Sequence, residues 1–306
     1  MSGVTQLPHP MIYIEEFSIL TPEQAESWLN DNCNAHCTKQ YYPFRVFESR
    51  VPTLELGNIT ILYGGNGSGK TTLLNLMAEK LGLPRSTPYN RTPFFDDYVE
   101  MCRMRMAGED TGYPEKIPYE SRFIGSDDVF EHILRLREQN DARHLASERA
   151  GRQWGVEGYR RMKLNSYEQG GYDAFLTHMK ARHSTRSRFV REHAQAAERE
   201  YSNGESAFIY FTQAIAERGL YLLDEPENSL SPNLQLDLVE FLSSSAVCGA
   251  QLVIATHSPL LLSIPGARIY DLDHRPIGLR PWYELENVRL LFDFFNEHRG
   301  LFLDGE

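Results

Sequence analysis

The sequence is poor in the features that mark secreted and membrane proteins. Its 306 residues include only four cysteines (Cys33, Cys37, Cys102 and Cys248), too few for a disulfide framework in a chain of this length. The sequence has no apolar run near the roughly 18 residues that a membrane-spanning helix needs, and its first ten residues lack the pattern of a signal peptide. We therefore expect a cytoplasmic protein with no membrane span.

The sequence also has fewer basic than acidic residues. Lysine and arginine number 31 against 42 aspartates and glutamates, which gives a net charge of −11. Such a chain has no overall field that attracts nucleic acid, so any such contact needs a local basic patch. The hydrophobic share of 41% and the charged share of 24% are ordinary for a folded globular protein.

A glycine-rich segment follows the β-rich run of residues 58–63. Residues 64–71 read GGNGSGKT and fit the pattern GxxxxGK[ST], in which backbone N–H groups wrap a phosphate at a helix N-terminus. A chance glycine turn is the alternative, and the strand–loop–helix context disfavours it. In this loop Lys70 would bridge the β and γ phosphates, and Thr71 would ligate Mg²⁺. The residues predicted to bind nucleotide here are Gly64, Gly65, Asn66, Gly67, Ser68, Gly69, Lys70, Thr71 and Thr72.

Two carboxylates end a later apolar run. Residues 220–225 read LYLLDE, the pattern of a buried strand that presents Asp224 and Glu225 at its end. Asp224 is predicted to hold Mg²⁺, directly or through water, and Glu225 to orient the attacking water or accept its proton. Taken alone, Glu225 could equally be an ordinary surface acid.

Three further segments give the carboxylates a context. Residues 201–206 (YSNGES), about one helix before Asp224, resemble the ABC signature LSGGQ or LSGGE. Residues 225–232 (EPENSLSP) resemble the D-loop, and residues 255–259 (ATHSP) place His257 where ABC proteins have their switch histidine. The motifs, in this order, resemble the ABC superfamily. The residues of these motifs are most similar to those of soluble SMC-like, RecF-like and OLD-like ATPases of bacteria and phages.

This resemblance implies an α/β fold, that of a P-loop NTPase of the ABC-ATPase head type. It implies a mostly parallel sheet flanked by helices, with an antiparallel N-terminal β portion and an inserted helical lid. ATP and Mg²⁺ would be the cofactors, and Lys70, Glu225 and His257 the catalytic residues. Two protomers would enclose each ATP between the phosphate loop of one and the signature of the other. In that homodimer the signature residues that serve the opposite protomer are Ser202, Asn203, Gly204 and Glu205.

The pattern along the chain predicts three parts. Residues 1–83 would hold the N-terminal β portion and the phosphate-loop half of the core, residues 84–200 the helical lid, and residues 201–306 the signature and histidine half. Thr21, Pro22 and Gln24 form a capping box that opens a helix. Strands are expected at residues 11–17, 44–47, 54–56, 58–63, 122–125, 220–223, 251–256 and 267–272. Helices are expected at residues 205–218 and from Pro232, and residues 283–302 should form a helical tail packed on the core.

Two other classes of function remain open. The ATP-binding subunit of an ABC transporter would normally carry a Q-loop glutamine after the strand at residues 122–125, but this chain has Ser126, Asp127 and Asp128 there. The substitution weakens the transporter interpretation and leaves Ser126 or Asp127 as possible replacements. A nucleotide-gated interaction module, with little turnover and a separate protein effector, is the other alternative. The favoured settings are DNA transactions and defence against phage.

One basic segment stands out in the predicted lid. Residues 178–191 contain no acid and carry five cations that could contact nucleic-acid phosphates: Lys180, Arg182, Arg186, Arg188 and Arg191. A solvated helix face or an intersubunit contact is the more ordinary explanation.

Two smaller features have ordinary explanations as well. Tyr41, Tyr42 and Phe44 could stack on adenine, but core packing is the more ordinary role. Cys33, His36 and Cys37 could be imagined as a metal site, but they lack the second ligand pair of a structural metal site.

Overall fold

A computed structural model describes residues 11–32, 41–47, 51–159, 185 and 202–303, without the side chains of residues 154–159. The chain divides into two compact units, one formed by Met1–Phe130 with Asn203–Glu306 and the other by Glu131–Ser202. The second unit contains most of one long helix, in which Arg135 and Arg152 each pair with the glutamate four residues earlier.

The described part of the chain alternates strands and helices. The strands are β1 (Ile14–Ser18), β2 (Leu54–Glu55), β3 (Ile59–Tyr63), β4 (Arg103–Met106), β5 (Arg122–Gly125), β6 (Gly219–Asp224), β7 (Ala250–Thr256), β8 (Arg268–Asp271) and β9 (Gly278–Leu279). The helices are α1 (Pro22–Asn32), α2 (Lys70–Leu81), α3 (Phe95–Met101), α4 (Ser126–Tyr159), α5 (Asn203–Ala214), α6 (Pro232–Val247), α7 (Pro259–Leu262), α8 (Glu286–Glu297) and α9 (Arg299–Leu303).

The central sheet has the strand order β5-β6-β7-β3-β8-β9. Its neighbouring strands pair in parallel except β9, which is antiparallel to β8. Every residue of β3 and β7 is buried, as expected for parallel strands covered on both faces. Helix α2 packs on β6 and β7, and α6 packs on β7. The predicted α/β fold with a mostly parallel sheet is confirmed.

A smaller antiparallel sheet, in the order β2-β1-β4, forms the N-terminal β portion. Gln251, which is fully buried in β7, joins it to the central sheet. Its Oε1 accepts from the N–H groups of Tyr13 and Ile14 at 2.8 and 3.0 Å. Its Nε2 donates to the carbonyls of Ile14 and Gly57 at 2.7 and 3.1 Å. One side chain thus satisfies four buried backbone groups at the junction of the two sheets.

Local sequence signals account for several helix ends. The Thr21 N–H donates to Gln24 Oε1 at 3.0 Å and the Gln24 N–H donates to Thr21 Oγ1 at 3.3 Å, so the predicted capping box is present. Ser231 caps α6 by accepting from the Leu234 N–H at 3.4 Å, with Pro232 at the first helical position.

Two expectations from the sequence are wrong. Residues 44–47 form turns rather than a strand, because Phe44 stacks on Trp28 of α1 at 4.5 Å and Phe47 lies against the phosphate loop. The C-terminal tail forms helices α8 and α9, but only its first residues pack on the core, since Leu285 and Val288 are buried and the rest of α8 and all of α9 are not. The apolar spacing correctly indicated helix and wrongly indicated burial for the remainder of the tail.

The predicted lid at residues 84–200 also contains segments of the first unit. Strand β4 pairs with β1, and β5 pairs with β6, so residues 84–130 contribute to both sheets. Among the described residues, none of the helices combines the length and apolar character that a bilayer crossing demands.

Replacing Gln251 by leucine should destabilise the protein strongly. Leucine fills a similar volume but leaves the four backbone groups of Tyr13, Ile14 and Gly57 without their partner, and we expect a loss of at least about 2 kcal/mol in the free energy of unfolding. Denaturant unfolding measures this. Gln213→Leu, at an exposed position of α5, is the matched control and should change stability by less than about 0.5 kcal/mol. Equal effects of the two substitutions would refute the role of Gln251.

Candidate functional site

The loop between β3 and α2 requires its glycines. Gly69, the residue before α2, has φ of 95°, and a Cβ there would lie 2.4 Å from the ring of Phe47. A Cβ at Gly64 would lie 2.5 Å from the hydroxyl oxygen of Ser68. Larger residues would therefore displace the loop, and its backbone can follow this path only with glycine.

Lys70 lies within this loop and is 4% exposed. Its Nζ donates to the carbonyl oxygens of Gly64 at 2.6 Å and Gly65 at 3.0 Å. The loop borders a cavity of about 310 Å³. The lining residues are Val46, Asn66, Gly67, Ser68, Gly69, Lys70, Thr71, Thr72 and Glu225. The cavity thus joins the loop to one of the two predicted carboxylates.

The other predicted carboxylate, Asp224, is at the end of β6. The Thr71 hydroxyl donates to Asp224 Oδ1 at 3.0 Å, which brings together the two predicted magnesium ligands. Burial raises the pKa of Asp224 from an ordinary 3.8 to about 6, the Thr71 hydrogen bond opposes this rise, and the charge of Glu225 adds to it. A hydroxyl and a partly buried carboxylate supply the oxygen ligands that Mg²⁺ prefers, so the residues present fit this ion.

Glu225 has an uncommon backbone conformation. Its φ of 48° lies in the left-handed region, which costs a non-glycine residue roughly 1–2 kcal/mol. Its N–H donates to the carbonyl of Ala255 at 2.9 Å, which fixes this conformation against β7. Its Oε2 accepts from Asn228 Nδ2 at 3.1 Å. A strained backbone that points a carboxylate at a cavity is a recurrent property of functional sites.

His257 directly follows β7 and is half exposed. Its Nδ1 lies 3.8 Å from Glu225 Oε1 and 3.5 Å from Glu227 Oε1. The structure therefore brings the predicted histidine close to the predicted carboxylate. Asn287 Nδ2, from α8, donates to the His257 carbonyl at 2.7 Å.

The predicted signature residues occupy a different place. Asn203, Gly204 and Glu205 form the first turn of α5, directly after Ser202, and none of the four is among the residues that line the loop cavity. Gly204 packs closely on the segment that follows β6, because a Cβ there would lie 2.9 Å from the carbonyl oxygen of Ser229.

The two aspartates at the Q-loop position differ in burial and in hydrogen bonding. Asp128 is buried and accepts from the Gly125 N–H at 2.7 Å and from the N–H and hydroxyl of Thr87 at 2.8 Å. Asp127 is exposed at the start of α4, after Ser126. Asp128 therefore holds the start of this helix.

Three residues of the site were not predicted. Asp273, just after β8, accepts from the Gly65 N–H of the phosphate loop at 2.6 Å. Its position after a strand next to β3 was a usable signal, since residues that follow parallel strands meet at one edge of the sheet. Glu227 and Asn287 contact the His257 segment, and no pattern in the sequence pointed to Asn287.

Some predicted residues lie outside the described part of the chain. They are Tyr201, the cations Lys180, Arg182, Arg186, Arg188 and Arg191, and the thiols Cys33 and Cys37. Of the aromatic residues considered for adenine, Phe44 belongs to the hydrophobic core, whereas Tyr41 and Tyr42 are partly buried against it.

A phosphate loop after β3, a Thr–Asp pair and a parallel sheet define a P-loop NTPase. Residues 114–263, just under half of the chain, match a protein family described as "AAA domain, putative AbiEii toxin, Type IV TA system". The match includes Asp224, Glu225 and His257 and leaves the phosphate loop outside. With the loop and the ordered motifs, this match supports a P-loop ATPase of the ABC superfamily. None of the curated proteins matches the sequence.

Solved structures show distant similarity. One is described as an inward-facing "putative metal-chelate type ABC transporter", with 18% identity, a TM-score of 0.36, and coverage of 81% of this chain and 82% of that one. A nucleotide-free ATP-binding cassette from an ABC transporter has 11% identity, a TM-score of 0.33, and coverage of 74% and 81%. The Smc head domain from Pyrococcus furiosus, bound to a ScpA domain, has 10% identity, a TM-score of 0.41, and coverage of 94% and 100%.

The raised pKa of Asp224 predicts a pH-dependent stability. The folded protein holds this proton up to about pH 6 and the unfolded chain loses it near 3.8, so stability should fall as pH rises through this window. Asp224→Asn should therefore stabilise the protein at pH 7.5, with metal removed by EDTA, by up to about 3 kcal/mol.

Unfolding curves of wild type and Asp224→Asn between pH 4 and 7.5 measure this difference. It should shrink towards pH 4, because the carboxyl is protonated there in the folded state and is also gaining its proton in the unfolded chain. Asp237→Asn, at an exposed position of α6, is the control and should show no such trend. A difference that stays constant across the range would contradict the raised pKa of Asp224.

Proposed function

We propose that this chain hydrolyses ATP, and that two copies enclose each nucleotide between the phosphate loop of one and the signature segment of the other. One observation carries the first part: the carboxylate of Glu225 lines the same cavity as the phosphate loop and Lys70. A base candidate and a phosphate site thus face a common space, as hydrolysis of a bound triphosphate requires.

Each residue of the site would have a separate role in ATP hydrolysis. Backbone N–H groups of the loop and the Lys70 ammonium would bind the β and γ phosphates. Thr71 and Asp224 would hold Mg²⁺, which supplies positive charge against the phosphates. Glu225 would orient a water and receive its proton as the water oxygen bonds to the γ phosphorus. The bond from that phosphorus to the bridging oxygen breaks, and ADP and phosphate leave.

The composite site rests on the placement of the signature segment. Ser202 and Asn203 are exposed, and α5 begins at Asn203, so a hydroxyl and backbone N–H groups stand at a helix N-terminus, where the helix dipole favours an anion. Because these residues do not line the cavity of their own phosphate loop, a γ phosphate held by a second copy is the partner we propose for them. The resemblance to ABC proteins supports the same arrangement.

Glu225→Gln tests the hydrolytic part. Glutamine keeps the shape of the side chain but cannot accept the proton, so we expect phosphate release to fall at least about 100-fold while ATP affinity is retained. Phosphate release and binding of a fluorescent ATP analogue are the two measurements. Glu240→Gln, at an exposed position of α6, should behave as wild type.

The possible results separate the classes of function. ATP binding without measurable turnover in the wild type would favour a nucleotide-gated interaction module instead. A wild type that binds no ATP would overturn both functions.

Mixing two inactive variants tests the composite site. Lys70→Ala disables the phosphate loop, and Ser202→Arg blocks the signature segment, so each variant alone should be inactive. A mixed dimer would contain one intact site, and an equal mixture should regain about a quarter of the wild-type rate, since half of randomly formed dimers are mixed. Activity that stays absent at every mixing ratio, with both variants folded, would contradict the shared site.

The setting in the cell is a further hypothesis. The description of the matched family names a toxin of a type IV TA system, which agrees with a role beside a protein effector in defence against phage. DNA transactions are the alternative setting that the SMC-like and RecF-like resemblance suggests.

A further inference from the structure

Glu227 is a buried acid that the proposed reaction does not use. It lies two residues after Glu225, and only 6% of its side chain is exposed. Carboxylates are rarely this buried unless hydrogen bonds or charges compensate them. The contacts of Glu227 therefore indicate what keeps it in this position.

The hydrogen bonds of the Glu227 side chain converge on the segment that carries His257. Its Oε1 accepts from the Thr256 hydroxyl at 2.6 Å and from the His257 N–H at 3.0 Å. The Nδ1 of the same histidine lies 3.5 Å from this oxygen, beyond the length of a normal hydrogen bond but well within electrostatic reach. One carboxylate oxygen thus faces the hydroxyl before the histidine, the histidine backbone and the histidine ring.

Two negative charges flank the Nδ1 atom. Glu225 Oε1 lies 3.8 Å from it, in addition to Glu227 Oε1. A ring nitrogen with a lone pair would be repelled by both carboxylates, whereas an N–H would be attracted, so the surroundings favour a proton on Nδ1. In the neutral ring this leaves Nε2 as an acceptor, and in the protonated ring both nitrogens donate.

The other oxygen of Glu227 shows that this arrangement is not optimised for stability alone. Glu227 Oε2 is buried and has no hydrogen-bond partner among the described atoms. A buried acceptor without a partner costs roughly 1–3 kcal/mol. A threonine or an alanine would avoid that cost, so packing alone does not account for a carboxylate at this position.

The opposite side of the histidine segment is also fixed. Asn287 Nδ2 donates to the His257 carbonyl, and the Asn287 N–H donates to the hydroxyl of Tyr63 at 3.3 Å. Tyr63 is the last residue of β3, directly before the phosphate loop. The backbone of His257 is therefore held between Glu227 on one side and an Asn287–Tyr63 link to the loop strand on the other.

We propose that Glu227 is the positioning residue of His257: its carboxylate fixes the histidine backbone and places the ring proton on Nδ1. The kinetic consequence of this inference rests on the proposed hydrolysis. Its structural consequence, the position of the proton on the imidazole ring, is independent of hydrolysis. Glu227 itself is not among the residues that line the loop cavity, and it acts through His257.

The kinetic test compares Glu227→Ala, Glu227→Gln and His257→Ala. Loss of the positioning residue should lower kcat roughly 10-fold or more and change KM for ATP less than about threefold, by analogy with residues that orient metal-bound histidines. Glutamine should restore part of kcat, because its amide oxygen still accepts from Thr256 and the His257 N–H. In the His257→Ala background, Glu227→Ala should cost little more, since the two residues act as a unit.

The structural test needs no turnover. Nitrogen NMR of the imidazole in the nucleotide-free full chain should show Nδ1 protonated in the wild type and a mixture of tautomers in Glu227→Ala and Glu227→Gln. Glu240→Gln is the matched control and should leave the spectrum unchanged. Thermal unfolding of each variant confirms that it is folded.

The outcomes distinguish this inference from the proposed function. Unchanged imidazole resonances in folded Glu227→Ala would overturn the inference whether or not the protein hydrolyses ATP. A wild type without turnover would overturn the hydrolytic function and leave the NMR result to decide the role of Glu227. Full additivity of Glu227→Ala and His257→Ala in kcat would also overturn the inference.

Discussion

Parallel hydrogen bonding between β3, β6 and β7 is the constraint on which the site depends. Tyr63 lies opposite Thr256, and Asp224 lies opposite Ala255, so the three strands end at nearly the same level. Because parallel strands run in one direction, whatever follows each of them emerges at the same edge of the sheet. Thr71 and Asp224, 153 positions apart, thus reach hydrogen-bonding distance. The pairing register, rather than any contact within the site, sets this geometry.

The same edge concentrates negative charge. Asp224, Glu225 and Glu227 follow one strand, and Asp273 follows the neighbour of β3 on its other side. The charges of Glu225 and Glu227 add to the burial that raises the pKa of Asp224, and Lys70 opposes them. Such a cluster is costly for the protein alone, and a divalent cation is the ligand that would relieve it. The electrostatics therefore favour a metal–nucleotide complex over a free anion.

The parts of the site that were predictable are those encoded locally. The glycines of residues 64–69, Lys70 and Thr71 form one continuous segment, and Asp224 and Glu225 directly end an apolar strand. The capping box of Thr21 and Gln24 is local in the same sense. Asp273 and Asn287 reach the site only through tertiary neighbours, namely the pairing of β8 with β3 and the approach of α8 to His257. No residue spacing in the sequence indicates these tertiary contacts.

The two wrong expectations have one physical cause. An apolar pattern reports that a face needs covering, but it does not say which element covers it or whether any does. Phe44 lies in a turn and is covered by stacking on Trp28. The aromatic residues of α8 and α9 are exposed, within the part of the chain that the structure describes. Glu225 and Glu227 make the complementary point for polar residues. They are the same residue type two positions apart. The left-handed backbone of Glu225 directs its carboxylate to the cavity, whereas the carboxylate of Glu227 is buried against Thr256 and His257. Their difference in role follows from the turn between β6 and α6, and the composition of that turn alone could not have assigned it.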